Sequence, residues 1–237
     1  MFIFAKSRLK WIWVSLTLII SCLTLFNAAA FFSSGPTHNF LVEKGELRFM
    51  PLWTTALYFH IVSSCVCLAT GPLLMLPKLI RLRRLHAVLG YAYLNAVLWI
   101  SVPTGLLISI NAKGGWPSSL GFALTGVLWW WATWAGYRAI VRNELVTHIC
   151  WMVRSYALAL SAVAFRVVQQ LMAFGPLSDT TNYVISIWVS LLISLWISET
   201  CIKRHFANPP KSENVPTWWF TLNRSPVSKV KSLVSSL

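Results

Sequence analysis

The sequence predicts an all-α, polytopic membrane helix bundle of about six transmembrane helices, with both termini on the cytoplasmic side. Three observations predict it. First, 57% of the 237 residues are hydrophobic and only 11% are charged, where a soluble domain carries about 25% charged residues. A soluble fold so poor in charge would expose a large apolar surface and associate. Second, the apolar residues gather into six runs, each near the roughly 20 residues that a helix needs to cross a hydrocarbon core of about 30 Å. Third, Lys and Arg are unevenly shared between alternate connections, which is the signal that orients membrane helices.

The first run, 11–32, follows Lys6, Arg8 and Lys10 and ends near Ala28-Ala29-Ala30. A basic start, apolar middle and small-residue end also outline a cleaved signal peptide. The apolar stretch runs on into Phe31-Phe32, beyond the roughly 7–15 residues of a signal. An uncleaved helix is therefore expected; cleavage would leave five helices in the same orientation. The other runs are 52–77, 87–111, 119–140, 151–174 and 182–200. They are too long and too evenly apolar for barrel strands, which alternate, and helices satisfy their own backbone in lipid.

The N-terminus, the 78–86 and 138–150 connections, Arg154 and the tail together hold 16 Lys and Arg, against three (Lys44, Arg48 and Lys113) on the other side. That makes the first set cytoplasmic, so the expected location is the cell inner membrane. A transmembrane domain, 1–200, precedes a basic cytoplasmic tail, 201–237, rich in Pro and Ser, whose Trp218-Trp219-Phe220 suits the membrane interface. The net charge of +14 is scattered between apolar runs, so the partners expected are the bilayer and anionic headgroups at the cytoplasmic face, not nucleic acid. Small-residue stripes and many aromatics also suit a membrane partner subunit or a homo-oligomer.

The five cysteines (Cys22, Cys65, Cys67, Cys150 and Cys201) are odd in number and lie in or beside apolar runs, which indicates no disulfide framework. Cys65 and Cys67 are two apart and point in different directions on a helix. Trp11, Trp13, Trp53, Trp116 and Trp151 read as interfacial anchors. Trp129, Trp130, Trp131 and Trp134 cover more than one face of their helix, so some meet lipid; they are bulk packing or an aromatic wall beside a cofactor.

Ionisable residues inside a membrane helix mark function by default. His60, His86, His148 and Arg166 qualify. His148 and Arg166 are five helical turns apart and share a face. Ser155, Ala159 and Ala162 lie close to the same line, with Gln169 and Gln170 flanking it, so this stripe is expected to face protein. Arg166 falls in the outer half, with no acidic residue in any neighbouring apolar core. His60 lies at about the same depth, with Ser64, Cys67 and Gly71 below it. His86 and His148 share a depth at the cytoplasmic ends of parallel helices. Tyr93, Val97 and Thr104 continue the His86 face, and Gly90 on it would let another group approach the backbone.

Several of these residues together resemble the bacterial membrane family called domain of unknown function 2306. They are His60 with Gly71-Pro72, Arg84-Leu85-His86 with Gly90 and Tyr93, and His148 followed by Trp151-Met152-Val153-Arg154-Ser155-Tyr156-Ala157-Leu158 and then Arg166. The resemblance implies a multi-pass membrane protein with no established activity. The family usually has a basic residue directly after each of the latter two histidines; here Ala87 and Ile149 stand there. A looser likeness is to cytochrome b561-type bundles, which carry histidines on central helices. The fourth helix here has none, so the likeness implies one b-type haem, not two.

Three functions follow. In a redox or cofactor-binding module, His86 and His148 are the metal ligands of one haem b and Arg84 and Arg154 pair with its propionates. His60, Arg166, Gln169 and Gln170 then form a polar core beside it for a quinone or an anion. In a transporter or lipid-binding protein, Arg166 and His60 hold an anionic solute or headgroup. In a subunit or scaffold, the chain has no chemistry of its own. A hydrolase is not expected: no Ser or Cys has a readable nucleophile–base pairing, and the carboxylates are too few for acid–base work.

Overall fold

The computed structural model describes residues 39–207 and the isolated positions 19, 26, 29 and 33. The predicted first helix, apart from Ile19, Phe26 and Ala29, which are helical, lies outside the described residues, as do His38, Cys22 and the tail beyond Ala207. The described chain is helical, with no strand.

A short helix α1 (Asn39–Glu43) and a 3-10 turn (Gly45–Phe49) form a cap. The chain then descends through α2 (Pro51–Leu74), turns through α3 (Pro77–Arg81), and rises through α4 (Arg83–Asn95), a π-helical turn (Ala96–Ser101) and α5 (Val102–Ser109). It descends in α6 (Trp116–Val141), rises in α7 (Leu145–Met172) and descends in α8 (Asp179–Ala207). The cap and the 110–115 and 173–178 turns mark one end of the bundle, here the cap end. The opposite, basic end carries Lys78, Arg81, Arg83, Arg84, Arg138 and Arg142.

Among the described residues, four helical stretches are long and apolar enough to cross a membrane: Pro51–Leu74, Arg83–Ser109, Leu145–Met172 and Asp179–Arg204. Helix α6 has 26 residues, also a spanning length; its Trp, Gly, Ser and Thr lower its mean hydropathy. Large apolar side chains face outward all round the bundle, among them Leu52, Trp99, Leu192 and Trp196. A soluble monomer would not expose such a belt.

Local chemistry sets the breaks. Pro103 has no N–H to give and its ring crowds the carbonyl four residues back, and the π turn directly precedes it. Gly114 and Gly115 take left-handed φ of 86° and 71° in the turn before α6. Asn143, at φ 59°, closes α6: its N–H donates to Ile140 O at 3.0 Å and the next N–H, of Glu144, to Ala139 O at 2.9 Å. That paired closure needs a residue tolerant of left-handed backbone. Helix α8 begins with Ser178 Oγ accepting from Thr181 N–H at 3.3 Å, an N-cap. Helix α8 also runs past the predicted end at 200, to Ala207.

Helix α7 packs most broadly on α8 and α6. On α8 the buried face is Asn182, Ser186, Ser190, Ser194 and Ser198, one small or polar residue every four positions. Small side chains let membrane helices approach closely. The central core gathers Cys67, Leu68, Tyr93, Val97, Trp129, Tyr156 and Leu191. A smaller cluster of Leu41, Trp53 and Leu57 seats the cap.

Candidate functional site

Two polar groups occupy the bundle, at different depths. The central one joins three helices. Trp129 Nε1–H donates to Tyr93 Oη at 3.3 Å, and Thr133 Oγ1 donates to Trp129 O at 2.8 Å. Ser155 Oγ lies 2.8 Å from Tyr93 Oη and 2.7 Å from Thr133 Oγ1. Each hydroxyl has one proton. Since Thr133 gives its proton to the carbonyl, Ser155 donates to Thr133 and Tyr93 donates to Ser155. The chain therefore runs from the Trp129 indole through three hydroxyls back to the Trp129 carbonyl. Every donor in it is used, and all four residues are buried. This group was missed in the sequence, apart from Tyr93 and Ser155 being placed on inward faces; four hydroxyl or indole groups on three helices give no spacing signal.

Beside it, Pro72 leaves Leu68 O without its helical donor. Tyr156 supplies one: its hydroxyl donates to Leu68 O at 3.4 Å. A Cβ at Gly71 would meet the Tyr156 ring at 2.1 Å, so only glycine admits that ring.

The second group lies nearer the cap end. His60 Nδ1 is 2.7 Å from Ser101 O, at the end of the π turn. A carbonyl only accepts, so Nδ1 carries the proton and Nε2 keeps a lone pair in the neutral ring. Gly105 makes room: a Cβ there would meet the imidazole at 2.9 Å. Ser101 Oγ donates to Ser63 Oγ at 2.7 Å, which donates on to Phe59 O at 2.7 Å. Arg166 lies within electrostatic range of His60, of Cys65 on α2 and of Tyr183 on α8. Its only hydrogen bond among the described residues is to Ala162 O of its own helix, at 3.1 Å. No carboxylate pairs with it among the described residues. Phe122, Phe165 and Tyr183 form an edge-to-face cluster next along the chain from it, with centroids 5.1–6.1 Å apart.

The stripe on α7 needs correcting. Ser155 and Ala159 are buried, as expected, but Ala162 and Arg166 are exposed on the bundle surface. On this part of α7 the buried residues are Leu158 and Ser161 instead. Gln170 is exposed and Gln169 half-buried; the bond found is to the Gln169 backbone, from Asn182 Nδ2 at 3.0 Å. The space beside Gly90 is open: nothing lies within 4 Å of where its Cβ would be.

At the cap end, Lys113 pairs with Glu43 at 2.7 Å and Lys44 Nζ donates to Asn111 O at 2.6 Å. Burial lowers the Lys44 pKa, with Glu43 beside it opposing.

At the basic end, His148 Nδ1 donates to Gly136 O at 2.8 Å across α6 and α7, leaving Nε2 free. His86 lies within electrostatic range of His148, and its Nδ1 is buried without a partner. Both rings therefore retain a nitrogen for a ligand. The arginines do not match a haem. Arg154 holds Glu199 through Nε at 2.6 Å and Nη2 at 3.1 Å, and its guanidinium lies over the Trp151 ring at 4.7 Å. It cannot serve a propionate while that pair stands. Arg84 is exposed. Cys65, Cys67 and Cys150 are free thiols, and among the described residues no three His, Cys, Asp or Glu side chains gather where they could hold a metal ion.

A family model described as "Predicted membrane protein (DUF2306)" matches residues 57–202. The chain belongs to this DUF2306 family. The matched segment holds all the residues that carried the resemblance, from His60 to Arg166, and runs past Glu199. In this DUF2306 protein Gly71, Pro72 and Tyr156 form one device, a proline-freed carbonyl met by a tyrosine over a glycine. No curated protein and no solved structure matches the chain, so the cytochrome b561 likeness has no counterpart among them.

Proposed function

We propose that this protein binds a small anionic solute or an anionic lipid headgroup near the cap end, on Arg166 with His60. The observation that carries it is Arg166: a cation within a membrane-spanning helix, open to the surface, whose hydrogen bond is to one carbonyl of its own helix. An intramembrane arginine without a counter-charge is costly, and a bound oxoanion supplies two acceptors to its fork. The free lone pair on His60 Nε2 accepts from a hydroxyl on the same ligand. Hydroxyl-bearing anions, such as a glycerol phosphate headgroup, suit both.

The reading assumes six crossings with both termini cytoplasmic, in the inner membrane. The Lys and Arg asymmetry between the two ends supports that orientation. Reporter fusions after residues 80, 114, 143 and 176 test it: 80 and 143 are expected inside, 114 and 176 outside.

The binding test is calorimetric titration of the full chain in detergent with short-chain phosphatidylglycerol and, separately, inorganic phosphate. Arg166→Gln is expected to weaken one of them by about tenfold or more. Unchanged affinity for both rejects the reading.

A second reading has its own observation: His148 Nδ1 bound to a carbonyl is how a ligating imidazole is oriented, and His86 has a buried ring nitrogen unused. His86 and His148 would then hold one haem, which would supply one-electron transfer. Arg154 must first leave Glu199. A reduced-minus-oxidised spectrum of protein from haem-supplied cells decides: bands lost in His148→Ala support it, and a flat spectrum removes it.

A further inference from the structure

A cleft of about 250 Å³ opens at the basic end, between α6 and α7. Its α6 wall is Trp131, Trp134, Arg138 and Arg142, with Ala135 and Ala139 between, and its α7 wall is Glu144, Thr147 and Trp151. The spacings of three and four from Trp131 to Arg138 on α6, and of four from Thr147 to Trp151 on α7, put each set on one helix face, and Arg142 and Glu144 flank the two helix ends. The cleft therefore runs along the helices, not across them. From Trp131 to Val141, the last residue of α6, is about 15 Å of helix.

Its polarity is graded along that axis. The deep part is tryptophan and alanine, and the mouth is two arginines, a glutamate and a threonine. Trp151 is held in place by Arg154, which stacks on it and pairs with Glu199. At the mouth, Arg138 and Arg142 are one turn apart and form no ion pair with any described carboxylate. Glu144 likewise pairs with no described cation. It stands at the start of α7, directly after the left-handed Asn143, and lines the same cleft as the arginines. Two cations, one anion and an apolar floor aligned with the bundle axis match an amphiphile standing in a bilayer, with its phosphate at the basic end.

We propose that this cleft is a phospholipid site. The phosphodiester sits on Arg138 and Arg142, the primary ammonium of an ethanolamine headgroup on Glu144, and the upper acyl chain along Trp131, Trp134 and Trp151. The two guanidiniums form charge-assisted bonds to the phosphate oxygens, and the carboxylate accepts from an ammonium, which a quaternary amine cannot donate. The site is separate from Arg166 and His60 and does not depend on the cap-end reading.

The test is native mass spectrometry of the full chain in detergent with dioleoylphosphatidylethanolamine. One retained lipid is expected on the wild type, and about tenfold less on the Arg138→Gln/Arg142→Gln double variant. Lys78→Gln/Arg81→Gln removes the same charge from the neighbouring connection and is expected to bind like wild type. Glu144→Gln, at an exposed position, gives an independent readout should the arginine variant fail to fold. It is expected to abolish the preference for phosphatidylethanolamine over phosphatidylcholine. Equal retention by wild type and the arginine variant overturns the proposal, as does equal loss in the Lys78/Arg81 control. A preference unchanged in Glu144→Gln removes the ammonium assignment. Displacement of the lipid by equimolar glycerophosphoethanolamine or inorganic phosphate would assign the arginines to a free phosphate compound instead.

Discussion

The centre of the bundle and its cap-end third handle polar groups in opposite ways. At the centre, Trp129, Tyr93, Ser155 and Thr133 pass hydrogen bonds round a closed circuit, and Tyr156 meets the one carbonyl that Pro72 frees. Nearer the cap, Arg166 is a full charge holding one carbonyl of its own helix, and His60 keeps an unused nitrogen. In hydrocarbon an unsatisfied polar group costs several kcal/mol. Satisfied groups are accounted for by the fold itself; unsatisfied ones need something from outside. The difference separates residues that build the bundle from residues that bind to it, and each can be tested by which quantity a substitution changes.

The largest stability effect belongs to the centre. Gly71→Ala places a methyl 2.1 Å from the Tyr156 ring. The ring must leave Leu68 O, so overpacking and a lost bond combine to about 3 kcal/mol. Reversible unfolding in mixed micelles measures it; a loss below about 1 kcal/mol would mean the ring has room to move and the device is loose.

Next come Tyr93→Phe and Thr133→Val, each expected to cost about 1–2 kcal/mol with ligand binding unchanged. Both cut the same circuit, so the second cut should add little after the first. A double variant with simply additive losses would show two separate pairs and no circuit.

A smaller effect is expected at the border between the regions. Gly105→Ala brings a methyl within 2.9 Å of the His60 ring. The ring can tilt but would stretch its bond to Ser101 O. About 1 kcal/mol of stability should be lost together with part of the cap-end affinity. Loss of stability with full affinity would place His60 with the structural group.

Most of the bundle was legible in the sequence because it rests on length and hydrophobicity. The runs 52–77, 119–140 and 151–174 became helices within a few residues of those bounds, Leu145 excepted. The π turn before Pro103 was not foreseen, although Pro103 stands in the run; a proline signals a break without saying how the helix absorbs it. The serine face of α8 was overlooked despite its four-residue period, since serine in an apolar run carries no charge to notice. His60 and Arg166 were legible as ionisable residues in apolar runs, and His148 as one at the opening of a run. Which face Arg166 takes was not, because a stripe calculated at 100° per residue cannot tell where the neighbouring helices part. Arg154 was given to a ligand because its partner Glu199 is 45 residues away, beyond any local pattern.

The smallest stability effect is the most informative. Arg166→Gln removes a charge whose hydrogen bond is to its own helix, so no network is broken. Removing a desolvated charge should leave stability unchanged within about 0.5 kcal/mol, or raise it, since an arginine at mid-membrane costs about 2.5–3.5 kcal/mol on the insertion scale. Binding at the cap end should fall at the same time. That pairing, stability kept and affinity lost, is the reverse of Tyr93→Phe. If Arg166→Gln instead destabilises the protein by more than about 1 kcal/mol, the guanidinium has a structural partner, and Arg166 joins the closed circuit as a residue that builds the bundle.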